Sequence, residues 1–140
     1  MARSPRYGTH TGLINLEVIL EDVDKVINEK MINTALDIHQ TLRSAPPKGT
    51  PIDTGYASSN WVLSTDKPLV GTLGSKTNVI GMDTSIDNIL MFDINVNSRI
   101  FVQNNVPYMA RLNRGWSKQS PAGFVESAVD AALLRNGLIG

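Results

Sequence analysis

Apolar residues recur every three or four positions from Leu16 to Leu42, with charged residues between them. This spacing places the apolar side chains on one helical face and the charged ones on the solvated face. The pattern stops before SAPPKGTP, because paired prolines prevent a helix from continuing. It predicts one long amphipathic helix whose apolar stripe packs on the core: Leu16, Leu20, Val23, Ile27, Met31, Ala35, Ile38 and Leu42.

The middle of the chain carries shorter patterns. Asp53-Thr54-Gly55 is typical of a turn, and the segment WVLSTDKPLVGTLG predicts short extended pieces interrupted by proline and glycine. Residues 84–92 predict a short helix or bend. Residues 98–103 alternate apolar and polar side chains, which predicts a half-buried strand. Residues 75–85 are poor in apolar side chains and predict an exposed loop.

Two short helices are predicted near the carboxyl terminus. Pro107 is suited to open the first, which carries Tyr108 and Leu112 on one side and closes at Gly115. Ser120-Pro121 predicts the N-cap and first turn of the last helix. One face of that helix carries Val125, Ala128, Val129 and Ala132, and it ends at Asn136-Gly137.

These elements together predict an α+β fold in one domain. A long N-terminal amphipathic helix packs on a small antiparallel sheet, and two short C-terminal helices follow. Residues 1–14 are polar and glycine-bearing and are expected to form a flexible arm, whereas residues 15–140 form the domain. A chain of this length is large enough to bury a single core.

Composition excludes several classes of function. The chain has no cysteine, so disulfides, thiolate metal sites and cysteine nucleophiles are ruled out. Thirteen cations balance thirteen anions, so no global field attracts DNA or an anionic membrane. Neither a secretory signal nor a membrane-spanning run is apparent, so we expect a soluble protein made in a cytoplasm.

Candidate catalytic groups are sparse. The two histidines are His10, in the arm, and His39, beside the apolar stripe of the long helix, where a boundary position is expected. Asp53, Ser58 and Ser59 lie close in sequence but match no nucleophile motif. Asp-Thr-Gly also occurs in aspartic proteases, which need two such aspartates. We therefore expect no enzymatic activity, no metal site and no cofactor.

A basic segment remains to be explained. From Ile94 to Val125 there is no Asp or Glu, whereas four cations are present: Arg99, Arg111, Arg114 and Lys118. One interpretation is a small DNA-binding module using residues 99–118, since such surfaces combine cations with aromatics. The other, favoured here, is a protein contact, because interface centres are rich in aromatic residues and arginine.

The long helix supplies an acidic counterpart to the basic segment. Its acidic residues are Glu17, Glu21, Asp22, Asp24 and Glu29. The two regions could satisfy each other within one subunit or between neighbouring copies.

Two stretches carry a resemblance to a known family. TPIDTGYASSNW, residues 50–61, resembles the T-P-V-D-T-G-x-x-x-x-N-W signature of the small neck and tail-completion proteins of tailed bacteriophages. NNVPYMARLNRGWSKQSPAGFV, residues 104–125, resembles the same family's N-N-x-P-Y-A-x-x-L-E-x-G-x-S-x-Q-A-P-x-G-M-V segment. The similarity covers roughly residues 15–135. Matching positions are Pro51, Asp53, Thr54, Gly55, Asn60, Trp61, Asn105, Pro107, Tyr108, Leu112, Gly115, Ser117, Gln119, Pro121 and Gly123.

The chain departs from the family pattern at three positions. Asn113 replaces a glutamate, Ser120 an alanine, and Phe124 a methionine. The missing carboxylate at residue 113 leaves the segment more basic and removes any family salt bridge there.

The resemblance implies a non-enzymatic structural protein of the virion, assembled in the host bacterial cytoplasm. It implies a homo-oligomeric ring of six or twelve copies at the joint between head and tail. Its partners would be the portal-side connector and the tail terminator or tail tube protein. DNA would pass through the ring without specific binding, and no membrane is involved. The expected contacts with subunits or partners come from Tyr108, Arg111, Arg114, Trp116, Lys118 and Gln119.

Overall fold

The protein is described by a computed structural model covering residues 16–72 and 86–140, with side chains from Ile19 onward. Its elements are α1 (Leu16–Arg43), α2 (Tyr56–Ser59), β1 (Trp61–Thr65), α3 (residues 86–90), β2 (Ile100–Asn104), α4 (Met109–Asn113) and α5 (Phe124–Arg135). The predicted arm, with His10, and the predicted loop at 75–85 lie outside the described residues. The α+β fold class is confirmed.

The end of α1 matches the prediction. After Arg43 the chain leaves the helix at the proline-rich segment and folds back onto the last turn, where Thr50 N donates to the Leu42 carbonyl at 3.0 Å. The Thr50 hydroxyl donates to the same carbonyl at 2.7 Å. A helix end leaves carbonyls without intrahelical partners, and these two bonds satisfy one of them.

Within the described residues, the sheet consists of two antiparallel strands, β1 and β2. Trp61 lies opposite Asn104 and Thr65 opposite Ile100. The strand predicted at 98–103 is shifted to 100–104. The reason is Asp66, whose carboxylate accepts Ser98 N at 2.7 Å and the Asn97 side chain at 2.8 Å. These bonds hold residues 97 and 98 outside the strand, which begins at Ile100.

The sheet and α5 pack against α1. The main cluster lies between α1, α5, α2 and α4, and a smaller one beneath α3 joins Ala35, Leu63 and Ile89. The main cluster comprises Ile38, Leu42, Ala57, Trp61, Val106, Met109, Leu112, Phe124, Ala128 and Ala132. The Arg135–Asp37 ion pair, with nitrogen and oxygen 2.7 Å apart, fixes α5 alongside α1.

The start of α5 differs from the prediction. The helix begins at Phe124 after Gly123, whose φ of 79° is left-handed, and not at Ser120-Pro121. The Ser120 hydroxyl is buried and donates to the Gly49 carbonyl at 2.6 Å. The capping role passes to Asn113, whose carbonyl oxygen Oδ1 accepts Val125 N at 3.0 Å.

The stripe on α1 is only half buried. Ala35, Ile38 and Leu42 are in the core as predicted, but Leu20 is 62% exposed and its neighbours on the stripe, Val23 and Ile27, are exposed as well. The prediction that the whole stripe packs on the core was therefore wrong for the N-terminal half. The sheet and α5 are too short to cover 28 residues of helix.

Candidate functional site

The two stretches that carry the family resemblance meet in one open cleft of about 590 Å³. One wall comes from the segment leading into α2 and the other from α4 and the turn after it. Side chains on the walls include Asp53, Tyr56, Tyr108, Arg111, Trp116 and Gln119. Residues more than fifty positions apart in sequence thus form a single surface feature.

Glycines shape both walls. Gly55 has a φ of 84° and stands at the N-cap of α2, where the sequence predicts a turn. Gly115 has a φ of 91°, a conformation that L side chains rarely adopt. A Cβ at Gly115 would also lie 3.2 Å from the Ala122 methyl group. Only glycine therefore lets the chain reverse here and present Trp116.

Gln119 joins the two walls. Its carboxamide oxygen accepts Ile52 N at 2.8 Å, and its nitrogen donates to the Ile52 carbonyl at 2.9 Å. A paired contact of this kind fixes both distance and orientation. Gln119, expected as a partner contact, is therefore occupied in holding the cleft together.

Hydrogen bonds among buried and half-buried groups surround the segment that forms one wall of the cleft. Trp61 Nε1 donates to the Thr50 hydroxyl at 2.7 Å, and that hydroxyl donates to Leu42. Asn104 donates to the Ala57 carbonyl at 2.7 Å, and Asn60 to the Tyr56 carbonyl at 2.7 Å. Because unpaired buried polar groups are costly, this satisfied set specifies one arrangement of this wall.

The remaining motif residues lie beside the cleft and at bends of the chain. Pro51 is buried beside the cleft, and Asn105 donates to the Leu69 and Gly71 carbonyls at 3.0 and 2.8 Å. Pro107 and Pro121 are exposed at the bends that precede α4 and α5.

The aromatic side chains differ in exposure. Leu112 is buried and belongs to the core, whereas Trp116 is 71% exposed. Tyr108 is 40% exposed at the rim. The Arg111 guanidinium lies 5.1 Å from the centre of the Trp116 ring, a cation–π contact of modest strength at an exposed site. Trp116 and Arg111 together form a solvent-exposed pair at the edge of the cleft.

The four cations of the basic segment do not form one patch. Arg111 lines the cleft, while Arg114 and Lys118 are exposed but do not line it. Arg99 precedes β2, and its backbone N–H donates to Asp66. The five residues of β2 span about 17 Å, so Arg99 lies far from Arg111 and beside a carboxylate.

Two titratable groups near the site are perturbed. Burial, then the nearby Tyr56 and Asp53, raises the pKa of the Tyr108 hydroxyl. Burial also lowers the pKa of His39. His39 was expected at a boundary but is buried, and its Nε2 lies 2.9 Å from the Trp61 carbonyl. It therefore links α1 to β1.

The grouping of Asp53, Ser58 and Ser59 does not form a nucleophile site. The Ser59 hydroxyl donates to the Gly55 carbonyl at 2.7 Å within its own helical turn, and Asp53 is exposed. Within residues 16–72 and 86–140, no group of three or more His, Asp or Glu residues could hold a metal ion. In the same ranges, no helix combines the length and apolar character required to cross a membrane.

Sequence reasoning missed Thr50 and Ser120 as organising residues. Thr50 is fully buried and bonded on both sides, and Ser120 ties the segment before α5 to Gly49. Both residues directly precede a proline. At such a bend a hydroxyl can satisfy the backbone groups that the bend exposes, so this position could have indicated their role.

Comparison with known proteins gives no relative. No family model matches the chain, and neither the curated proteins nor the solved structures contain a significant match.

Proposed function

We propose that this protein is a structural component of a tailed-phage virion, a subunit of the neck ring that joins the DNA-filled head to the tail. The observation that carries the proposal is the convergence of the two resembling stretches in one exposed cleft. Shared motif residues are expected to converge when they build a common feature. Here that feature is the cleft, whose edge carries two residues outside the shared pattern, Arg111 and the exposed Trp116.

The composition of the cleft favours a protein partner. Tryptophan, tyrosine and arginine are the residues in which binding energy is most often concentrated at protein interfaces. Trp116 and Tyr108 can bury further area without any rearrangement of the core beneath them. The partners are other copies in a ring of six or twelve, the portal-side connector, and the tail terminator or tail tube protein.

Passage of DNA agrees with the charge distribution. The chain has no net charge, and Arg99 is separated from the cations near the cleft. A strongly salt-dependent DNA binder neutralises several phosphates along a continuous surface. The inner surface of a ring through which DNA passes does not need such a continuous cationic surface.

The decisive experiment removes the protein from the phage that encodes it. Heads filled with DNA and complete tails should accumulate separately, and supplying the wild-type chain should restore joined particles. Normal infectious virions without the chain would refute the proposal. A DNA-binding module would instead show affinity that falls steeply with salt, measured by fluorescence anisotropy on duplex DNA.

Trp116→Ala tests the role of the cleft in this function. Because the side chain is mostly exposed, the monomer should keep its melting temperature, while assembly weakens by roughly 2 kcal/mol or more. Thermal unfolding and particle joining are measured on the same variant. A variant that unfolds, or one that joins particles normally, would contradict this role.

A further inference from the structure

A second surface lies at the other end of α1. From Ile19 to Asn33 no side chain is buried. Four apolar side chains within this half are exposed: Leu20, Val23, Val26 and Ile27. They form an apolar stripe at helical spacing, and contiguous exposed apolar surface rimmed by polar residues marks interaction sites. We call residues 19–30 the outer half of α1.

The outer half is acidic, whereas residues 104–123, which supply one wall of the cleft, are basic; the other wall carries one carboxylate, Asp53. Residues 19–30 contain four acidic residues and two lysines, and residues 104–123 contain three cations and no carboxylate. The molecule therefore has no net charge but opposite charges on two regions. Both regions also present exposed apolar or aromatic side chains, so they are complementary in two respects.

The two surfaces cannot meet within one subunit. The cleft lies at the carboxyl end of α1, where Thr50 bonds to Leu42 and the Arg43 guanidinium reaches the Ser58 carbonyl at 3.4 Å. Leu20 precedes Arg43 by 23 residues, about 35 Å along a helix. Of the two arrangements that the sequence leaves open, contact between copies is the one that brings the cations near the cleft (Arg111, Arg114 and Lys118) against the outer half of α1.

We propose that the cleft of one subunit receives the outer half of α1 from a second copy. Leu20 and Val23 of the incoming helix pack against Tyr108 and Trp116, while Glu21 and Asp24 face the cations near the cleft. The cleft volume lies within the range of pockets that enclose small ligands, which is enough for one or two side chains of a docked helix.

This contact is head-to-tail, since each subunit uses a different surface on each side. Head-to-tail contacts generate closed rings when the rotation between subunits closes. The inference thus rests on the proposed ring and assigns the two faces that build it.

The test uses two variants that each lose one surface. The helix variant carries Leu20→Lys and Asp24→Lys, and the cleft variant carries Arg111→Glu and Trp116→Ala. Leu20, Arg111 and Trp116 are exposed and Asp24 is half-buried, so both variants should keep wild-type circular dichroism. A control, Val70→Lys, makes a similar change at a side chain that is 99% exposed and outside both surfaces.

Native mass spectrometry and analytical ultracentrifugation then report assembly. The wild type and the control should form oligomers, and each variant alone should associate at least about tenfold more weakly. Mixed in equal amounts, the two variants should form a 1:1 dimer that grows no further, because one intact cleft meets one intact helix. The junction should also weaken as salt rises.

Several outcomes would overturn the inference. These are a wild-type chain that stays monomeric, a cleft variant that assembles normally, or a helix variant that does so. Variants that pair with themselves would indicate a symmetric helix–helix contact instead. If the helix variant loses its fold, Glu21→Lys with Asp24→Lys replaces it, since this pair leaves the apolar side chains in place.

Failure here is distinguishable from failure of the proposed function. If both variants restore head–tail joining in phage that lacks the chain, the neck function stands and the assigned faces are wrong. If the wild-type chain itself is dispensable for joining, the neck function is wrong whatever the oligomers show.

Discussion

The two halves of α1 follow the same apolar spacing but have different surroundings. At the carboxyl end, Ile38 and Leu42 are covered by α5, α2 and α4, and neighbouring polar groups are paired. At the amino end, Leu20 and Val23 remain exposed. Apolar periodicity therefore specifies one face of a helix, whereas the partner of that face depends on where the other elements lie.

The tether of each half also differs. In the outer half, Asn28 contacts the body: its amide nitrogen donates to the Phe92 carbonyl at 3.0 Å and its oxygen accepts Ile94 N at 2.7 Å. The rest of α1, up to Arg43, is held by buried side chains and by the Asp37–Arg135 ion pair. Regions with few buried apolar contacts open locally at lower free energy than the core.

Replacing leucine by alanine at the two ends of α1 should change the free energy of unfolding by very different amounts, and this is the largest difference that we expect. Leu42→Ala removes a side chain that is 1% exposed and should lower the free energy of unfolding by about 2–5 kcal/mol. Leu20→Ala should change it by no more than about 0.5 kcal/mol, because little area is lost and alanine favours helix. Urea unfolding of the monomer measures both. Equal losses would mean that the outer half is packed in the folded chain.

Thr50→Val tests the buried hydrogen bonds around the segment that forms one wall of the cleft. Valine has a similar shape but cannot accept from Trp61 Nε1, which is then buried without this partner. The free energy of unfolding should fall by about 1–3 kcal/mol. Adding Trp61→Phe to Thr50→Val tests the pairing in a double-mutant cycle. A coupling energy near zero would show that the two side chains act independently.

Gln119→Ala should have a smaller effect on stability and a specific effect on the cleft. Two hydrogen bonds to the exposed Ile52 backbone are lost, which should cost about 1 kcal/mol. Hydrogen exchange at the Ile52 amide should accelerate, while amides in α5 keep their protection. Unchanged exchange at Ile52 would indicate that the two walls are held by other contacts.

His39 lies in the carboxyl-terminal half of α1, and its effect on stability depends on pH. Burial lowers its pKa in the folded state, so the unfolded chain takes up the proton first as pH falls below about 6.5. The contribution is complete above that pH and is lost below it, by at most about 1.4 kcal/mol per pH unit. His39→Gln should flatten the pH dependence in this window. Identical profiles for the two chains would contradict the assignment.

Much of the fold was predictable because local rules governed it. The helix α1 ends just before the Pro46-Pro47 pair, and α4 follows Pro107. Gly55 and Gly115 adopt left-handed conformations at the predicted turns. Element boundaries were less predictable, since single long-range contacts decided them. Asp66 moved the start of β2, and the Ser120–Gly49 bond replaced the expected N-cap of α5.

The departure at residue 113 shows the same dependence on context. Asn113 Nδ2 donates to a Glu126 carboxylate oxygen at 2.7 Å while its oxygen caps Val125. The hydrogen bond from Asn113 lowers the pKa of Glu126. A glutamate at 113, as in the family pattern that residues 104–125 resemble, would offer no donor to that carboxylate. The amide therefore suits a chain with Glu126 on the first turn of α5.

The sequence by itself determined the long helix, its end, the turns and the residues of both motif stretches, because spacing and backbone restrictions act over a few neighbours. Only the tertiary structure decided that the two stretches form one cleft, that Leu112 is buried while Trp116 is exposed, and that half of the apolar stripe is left uncovered. The physical reason is that burial depends on which elements pack together. Such packing is set by contacts between residues distant in the chain.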